Sequence, residues 1–431
     1  EMPRCDWSSD VCSSDLALWF KGAMITSKEE HYEQLLGLSG AWKVSAVTLD
    51  LAAKKVEVEI GYDLSQPMEC PECGQQCAHY DHREMREWRH LDTMQFETVL
   101  RCEVPRCNCP EHGVKTLRVP WAGKNSRFTL LFESFAIDVL QACSSVNAAA
   151  ELMGLNWHQV NEIKRRAVAR GLERRESAPI QHMGIDEKSF RKGHNYVSLL
   201  TDLQGSRVLD VAEGRDKAAC DKLFGALTQE QLKDVEAIAM DMWRPYINAA
   251  TQYLPHADIV HDRFHISQHL NQAIDKVRRQ EHKALSKEKD DTLKNSKYLW
   301  LTGFENLTEE MQLRFNELQA LGLKVGRAYA IKETFDYFWD YKYPGCARKF
   351  FNQWYGWARR SKLEPVKRVA KMIKDHFENT ITYLKHRITN ATTEGFNGVI
   401  QTIKANARGF RSFDNYRVAV LFQCGKLDLK P

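Results

Sequence analysis

Apolar positions change their spacing along this chain, and each change predicts a different kind of element. Val44, Val47, Val56, Val58 and Ile60 alternate as half-buried strands do, after a short helical stretch ending near Leu38-Ser39-Gly40. Glu97-Thr98-Val99-Leu100-Arg101 reads as a further strand, so a small β-rich unit is expected. Between Phe128 and Arg170 the period turns helical, through Phe132, Phe135, Ile137, Val139 and Leu140, with a break at Cys143-Ser144-Ser145. From Pro179 to about His265 apolar strands alternate with polar turns and helices. Met183-Gly184-Ile185 leads to Asp186, Tyr196 to Thr201 and Val208 to Ala212 follow as strands, Ala218 to Leu227 as a helix, and Val235 to Met240 leads to Asp241. This is an α/β pattern with Asp186 and Asp241 at strand ends, where open α/β sheets place their ligands. Beyond it, Leu270 to Leu285 is amphipathic and basic, and a late helix is expected through Val399, Ile400 and Ile403 toward Lys404.

At 431 residues the chain has room for two or three such modules. With charged residues at 27% and hydrophobic residues at 43%, the composition is too mixed for disorder or membrane residence. No apolar run approaches the roughly 18 residues of a membrane span. A net charge of +4 on 61 basic and 57 acidic residues says little about nucleic acid, so local patterns must decide that question. Twelve cysteines, several in Cys-x-x-Cys or Cys-x-x-His units, favour cytoplasmic metal binding over disulfides. Asp6 to Leu16 reads DWSSDVCSSDL and resembles the conceptual translation of a sequencing adapter; residues 1–23 are expected to be a non-native leader and Met24 the start.

Two short segments repeat one design: Cys70-Pro71-Glu72-Cys73-Gly74 and Cys109-Pro110-Glu111-His112-Gly113. Each offers two ligands, and together Cys70, Cys73, Cys109 and His112 make a Cys3His set suited to structural Zn2+. Cys77, Cys102 and Cys107 lie nearby, and Cys107 competes with Cys109 for the fourth place. Further on, Ser145 caps one predicted helix, Gly154 turns the chain, and Asn156 caps a second from Trp157 to Arg170, which is helix-turn-helix spacing. The second helix carries His158, Gln159, Asn161, Lys164, Arg165 and Arg166, side chains able to reach base edges or phosphates from a major groove. Arg170, Arg174 and Arg175 extend its charge, as non-specific phosphate binding would use. A plain helix pair with a solvated basic face is the competing reading.

A third acid, Glu394, sits in Asn390-Ala391-Thr392-Thr393-Glu394-Gly395-Phe396-Asn397, ahead of a basic stretch with Lys404, Arg408 and Arg411 that suits a phosphodiester substrate. Three acids among 57 are weak evidence alone, because a strand-end Asp is more often a turn or cap residue. The segments GIDE, AMDMW, Asp262-Arg263-Phe264-His265 and TTEGFNG, taken together, resemble bacterial insertion-sequence transposases of the IS-L-three family over nearly the whole chain after Met24. That resemblance implies a multidomain α+β and α/β protein: a zinc-finger domain over 24–125, a helix-turn-helix domain over 126–178, and an RNase H-like catalytic domain over 179–266 and 386–420, interrupted by a helical insertion at 267–385. It further implies that Asp186, Asp241 and Glu394 hold Mg2+ (or Mn2+) with His265 in support. The reaction would be DNA cleavage at terminal inverted repeats followed by strand transfer to target DNA, by a homodimer or higher assembly in the cytoplasm, at the nucleoid and away from membranes. A catalytically inactive DNA-binding regulator and a metal-dependent nuclease are the alternatives.

Overall fold

The structure, a computed structural model, describes residues 27–191 and 195–431. The leader expected at 1–23 and the start expected at Met24 lie outside the described residues. The chain divides into two compact units, one reaching Ala142 and including Lys430–Pro431, the other Cys143–Leu429.

The first unit is β-rich. Its opening helix, Lys28–Leu36, is capped by the Ser27 hydroxyl and stopped by Gly37 at φ 62°, a left-handed conformation that glycine adopts without steric cost. Eight strands follow: β1 (Trp42–Asp50), β2 (Lys55–Tyr62), β3 (Met68–Glu69), β4 (Gln76–His82), β5 (Arg86–Arg89), β6 (Glu97–Cys102), β7 (Pro105–Cys109) and β8 (Gly113–Thr116). They form two four-stranded sheets, ordered β1-β2-β6-β5 and β3-β4-β7-β8. Val56, Val58 and Ile60 alternate inward as expected and join Val44, Val47, Trp88, Leu100 and Trp121 in one core. Val44 and Val47, three residues apart, would face opposite ways on a regular strand. A register shift between Val44 and Ala46 turns both inward, as a β-bulge does. The helix Leu130–Ala142 also belongs to this unit.

The second unit begins with the helices Val146–Leu152 and Trp157–Glu173. Five strands follow in the order β11-β10-β9-β12-β13: β9 (His182–Arg191), β10 (Asn195–Asp202), β11 (Arg207–Glu213), β12 (Ala237–Met240) and β13 (Asp258–His261). The first three pair antiparallel, whereas β12 runs parallel to both β9 and β13. Met183, Ile185, Ile238 and Met240 pack under the helices Lys217–Gly225 and Arg244–Tyr253. Ala237 and Val260, from the other face, join a helical core with Ile266, Trp300, Phe335 and Trp354. That helical segment starts with Arg263–Lys287, which runs unbroken across the expected boundary at 266/267. Its aromatics divide between core and surface: Phe338, Trp339, Phe351 and Trp354 are buried, while Tyr337 and Trp357 remain exposed. The chain then returns through the short helix Tyr383–His386 to the helices Ala391–Asn406 and Phe413–Cys424. Among the described residues no helix is long and apolar enough to cross a membrane.

Candidate functional site

Parallel register gathers acids along one edge of the second sheet. β12 pairs with β9 as Ala237 to His182 and Ala239 to Gly184, the last pair of the ladder, and Asp241 and Asp186 each lie two residues beyond it. β13 pairs with β12 as Met240 to His261, so one more step sets Asp262 beside Asp241. Asp241 directly follows its strand, as expected. Asp186 does not: β9 continues to Arg191 and holds Asp186 in mid-strand, because pairing with β10 extends past the point where the apolar run stops.

The third acid arrives on a helix fitted closely to β9. Glu394 lies in the first turn of Ala391–Asn406. Thr393 Oγ1 shares a 2.9 Å hydrogen bond with Thr201 Oγ1, and Thr201 Oγ1 donates to the Gly184 carbonyl at 3.1 Å. Asn397, one turn after Glu394, donates from Nδ2 to Asp186 Oδ2 at 2.8 Å, while the Glu187 amide donates to Oδ1. Gly184 makes this approach possible. A Cβ there would lie 2.7 Å from Thr201 Oγ1, 2.8 Å from Thr393 Oγ1 and 2.9 Å from Asn390 Oδ1, all closer than real Cβ atoms come.

Charge crowds at this edge. Burial, then the neighbouring carboxylates of Asp262 and Asp186, raise the Glu394 pKa against the pull of His265 and Lys188. Burial and Asp186 raise Asp262 as well, although the Phe264 amide donates to its Oδ1 at 3.0 Å. Asp262 thus caps the helix on which His265 stands one turn in. The oxygens of Asp186, Asp241 and Glu394 do not all come within 4.8 Å of one another. Asp262 Oδ2, Asn390 Oδ1 and Asn397 Oδ1 are buried without hydrogen bonds. Orphaned oxygens beside four carboxylates are the donor set a hard divalent cation takes, so the residues fit Mg2+ or Mn2+. Reading the sequence missed Gly184, Thr201, Thr393 and Asn397. Only Asn397 left a trace, its spacing of three from Glu394 along one helix face.

In the first unit Cys70, Cys73, Cys109 and His112 come together, each offering an atom within 4.8 Å of the others. Tetrahedral zinc with ordinary bond lengths requires about 3.8 Å between sulfurs and about 3.5 Å from sulfur to nitrogen. Cys73 Sγ and Cys109 Sγ are 3.7 Å apart, Cys109 Sγ and His112 Nδ1 3.6 Å, and Cys70 Sγ and His112 Nδ1 4.0 Å. Gly74 and Gly113, at φ 74° and 67°, close the two knuckles. Cys107 is fully buried and stands outside this cluster, leaving Cys109 as the ligand of the pair. Beside the knuckles a cavity of about 1150 Å3 is lined by Arg83, Arg86, Arg106, Arg118 and Lys124, a basic surface that sequence spacing did not reveal.

The helix pair forms as expected. Ser145 Oγ accepts from the Ala148 amide, Gly154 turns at φ 64°, and Asn156 and Gln159 make a reciprocal capping box. His158 is exposed and Gln159 half-buried within that box. Two expected DNA contacts are corrected: Asn161 and Lys164 are buried, only 9% and 7% exposed. Asn161 Nδ2 donates to Asn415 Oδ1 and the Lys164 ammonium lies over the Phe422 ring, because this helix face packs on Phe413–Cys424. The arginine tail also makes contacts within the chain, although Arg165 itself stays exposed. Arg165 donates to Asn415 Oδ1, Arg170 to the Leu429 carbonyl and Arg175 to the Leu209 carbonyl, and Arg174 pairs with Asp428. Arg166 is half-buried. Of the later cations, Arg408 and Arg411 are exposed, and Lys404 Nζ donates to the Ser189 carbonyl at 2.9 Å.

Comparison with known proteins yields the same three parts in the same order. Residues 66–112 match a family described as the zinc-finger of transposase IS204/IS1001/IS1096/IS1165, residues 117–168 the helix-turn-helix domain of transposase family ISL3, and residues 183–420 the ISL3 DDE transposase. The transposase for insertion sequence element IS1001 of Bordetella parapertussis is 27% identical over 348 residues, covering 80% of this chain and 86% of that protein. The transposase for insertion sequence element IS1557 of Mycobacterium tuberculosis is 28% identical over 368 residues, covering 80% and 82%.

Proposed function

Because the chain belongs to the ISL3 family of transposases, we propose that it binds the terminal inverted repeats of its own insertion sequence and cuts and joins DNA with Asp186, Asp241 and Glu394. The observation that supports this reading is the register of β9, β12 and β13, whose paired residues lead into Asp186, Asp241 and Asp262, together with the Asn397–Asp186 hydrogen bond from the helix bearing Glu394. Three antiparallel strands continued by two parallel ones, with a long helical segment before the last acid, support an RNase H-like reading of this unit.

A divalent cation held by Asp186, Asp241 and Glu394 supplies Lewis acidity to the attacking and leaving oxygens of the phosphodiester. The chain's own contribution is placement. Asn397 fixes one oxygen of Asp186, the Glu187 amide holds the other, and the Thr201–Thr393 hydrogen bond sets the height of Glu394 above the sheet. Capping by Asp262 orients the helix that carries His265, which stands near enough to Glu394 to oppose the rise in its pKa. Water attacks first, and the freed 3′-hydroxyl then attacks target DNA in the same geometry. DNA contacts are assigned to His158, Gln159, Arg165 and Arg166 on the second helix and to the exposed Arg408 and Arg411 past the far end of the helix that carries Glu394. Structural Zn2+ on Cys70, Cys73, Cys109 and His112 holds the knuckles. Two ends must be paired, so the working form is at least a dimer, acting at the nucleoid.

The test incubates purified protein with labelled terminal repeats, a target plasmid and Mg2+, and reads 3′-end cleavage and strand-transfer products. Asp241→Ala should lose both while still binding the repeats; activity in that variant removes Asp241 from the site. Cleavage without joining by the unaltered protein identifies a nuclease, and binding without either identifies a regulator.

A further inference from the structure

The same strands that align the acids bring another set of ligands together at the opposite edge of the sheet. His182 opens β9, Glu236 directly precedes β12, and His386 ends the helix Tyr383–His386. One ligand atom from each lies within 4.8 Å of the other two. The backbone fixes this grouping, since Glu236 N donates to the Gln181 carbonyl and Asp258 N to the Glu236 carbonyl. Four residues of β9 separate His182 from Asp186, about 13 Å along an extended strand, so the cluster is distinct from the acidic edge.

Both imidazoles are already oriented. Asp258 Oδ2 lies 2.7 Å from His386 Nε2 and accepts its N–H, which leaves the lone pair of His386 on Nδ1. His182 Nδ1 faces the Gln204 side-chain amide at 3.2 Å. A carboxylate accepting from one ring nitrogen of a histidine fixes its tautomer and raises the basicity of the other as a metal ligand. Lys385 Nζ pairs with the same Asp258 oxygen and offsets its charge.

We propose that His182, Glu236 and His386 form a second metal site, for a borderline cation of the zinc type, that fastens the chain returning from the helical segment to the sheet. Two imidazoles and one carboxylate suit Zn2+, whereas Mg2+ prefers all-oxygen sets. The consequence is positional. His386 lies four residues before Asn390, which directly precedes the helix carrying Glu394. Tying His386 to β9 and to the start of β12 therefore anchors the approach to that helix.

The experiment counts zinc per full-length chain by mass spectrometry, in excess Mg2+, with Asp241→Ala present in every arm so that the acidic edge does not contribute. About two equivalents are expected without further change, one in the knuckles and one at the new site. About one is expected for Glu236→Gln, and about one for Cys109→Ser. Glu236 is exposed, so its replacement leaves the interior intact where His386→Gln could unfold it. Zinc should also slow hydrogen exchange over residues 382–394 in the parent and not in Glu236→Gln. A single equivalent in the parent, or two retained in Glu236→Gln with unchanged exchange, overturns the proposal. These readouts involve no DNA and stand whether or not the acids cut it.

Discussion

Gly184→Ala places one methyl group where the structure has no room for it. The new Cβ would sit 2.7–2.9 Å from Thr201 Oγ1, Thr393 Oγ1 and Asn390 Oδ1, while ordinary contact begins at 3.4 Å. Each oxygen must withdraw by about 0.5–0.7 Å, and close packing gives them little freedom to do so. Thr201 and Thr393 are both fully buried and bonded to each other, so the displacement passes to the helix that carries Glu394. Overpacking of this kind costs about 1–3 kcal/mol, which lowers Tm by about 2–12 °C for a unit of this size. Activity should fall further than stability suggests, by about 100-fold, because misplacing a reacting group by close to 1 Å has that effect. The assay compares terminal-repeat cleavage in Mg2+ with Tm for Gly184→Ala and for Gly395→Ala, where a Cβ meets nothing within 4 Å. Cleavage by Gly184→Ala equal to that of Gly395→Ala would refute the docking argument.

Three further outcomes are expected. Asn397→Ala removes the donor to Asp186 Oδ2, and the Mg2+ required for half-maximal cleavage should rise about 10–100-fold; an unchanged Mg2+ titration shows that the hydrogen bond does not hold the acid. Chelation with phenanthroline should expose residues 66–116 to hydrogen exchange while residues 183–202 stay protected, because a small knuckle fold draws its stability from the metal; equal protection before and after would contradict a structural zinc. Burial brings the Lys164 pKa down to about 8 from 10.5. The folded state therefore penalises the charged form below pH 8, and the penalty fades as pH rises toward 10.5 and the unfolded chain also loses its proton. Lys164→Met should be more stable than the parent by up to ~3 kcal/mol at pH 7, by an amount that shrinks from pH 8 to 10.5. Its affinity for the repeats should be unchanged, and a weaker, less salt-dependent complex would return Lys164 to the DNA surface.

Sequence by itself determined what depends on near neighbours. The knuckle turns, the caps at Ser145 and Asn156, the alternation of Val56, Val58 and Ile60, and Asp241 after its apolar run all follow from spacings of a few residues, and each stands where that spacing put it. Glu394 is different in kind, since its link to Asp186 spans more than 200 residues and only the resemblance to a known family joined them before the fold did.

Tertiary structure decided the rest, because periodicity reports that a face will be covered and not what covers it. The basic helix at 157–173 carries a polar face that reads as a DNA surface, yet Asn415 and Phe422, some 250 residues later, bury Asn161 and Lys164. β9 runs on past Asp186 because β10 supplies hydrogen bonds there, and Val44 and Val47 share a face because a bulge intervenes. Parallel pairing leads β9, β12 and β13 to Asp186, Asp241 and Asp262 beyond its forward end and brings His182 and Glu236 toward His386 at the other. Parallel strands join residues that long crossovers keep far apart in the chain, and that distance is what a local reading cannot bridge.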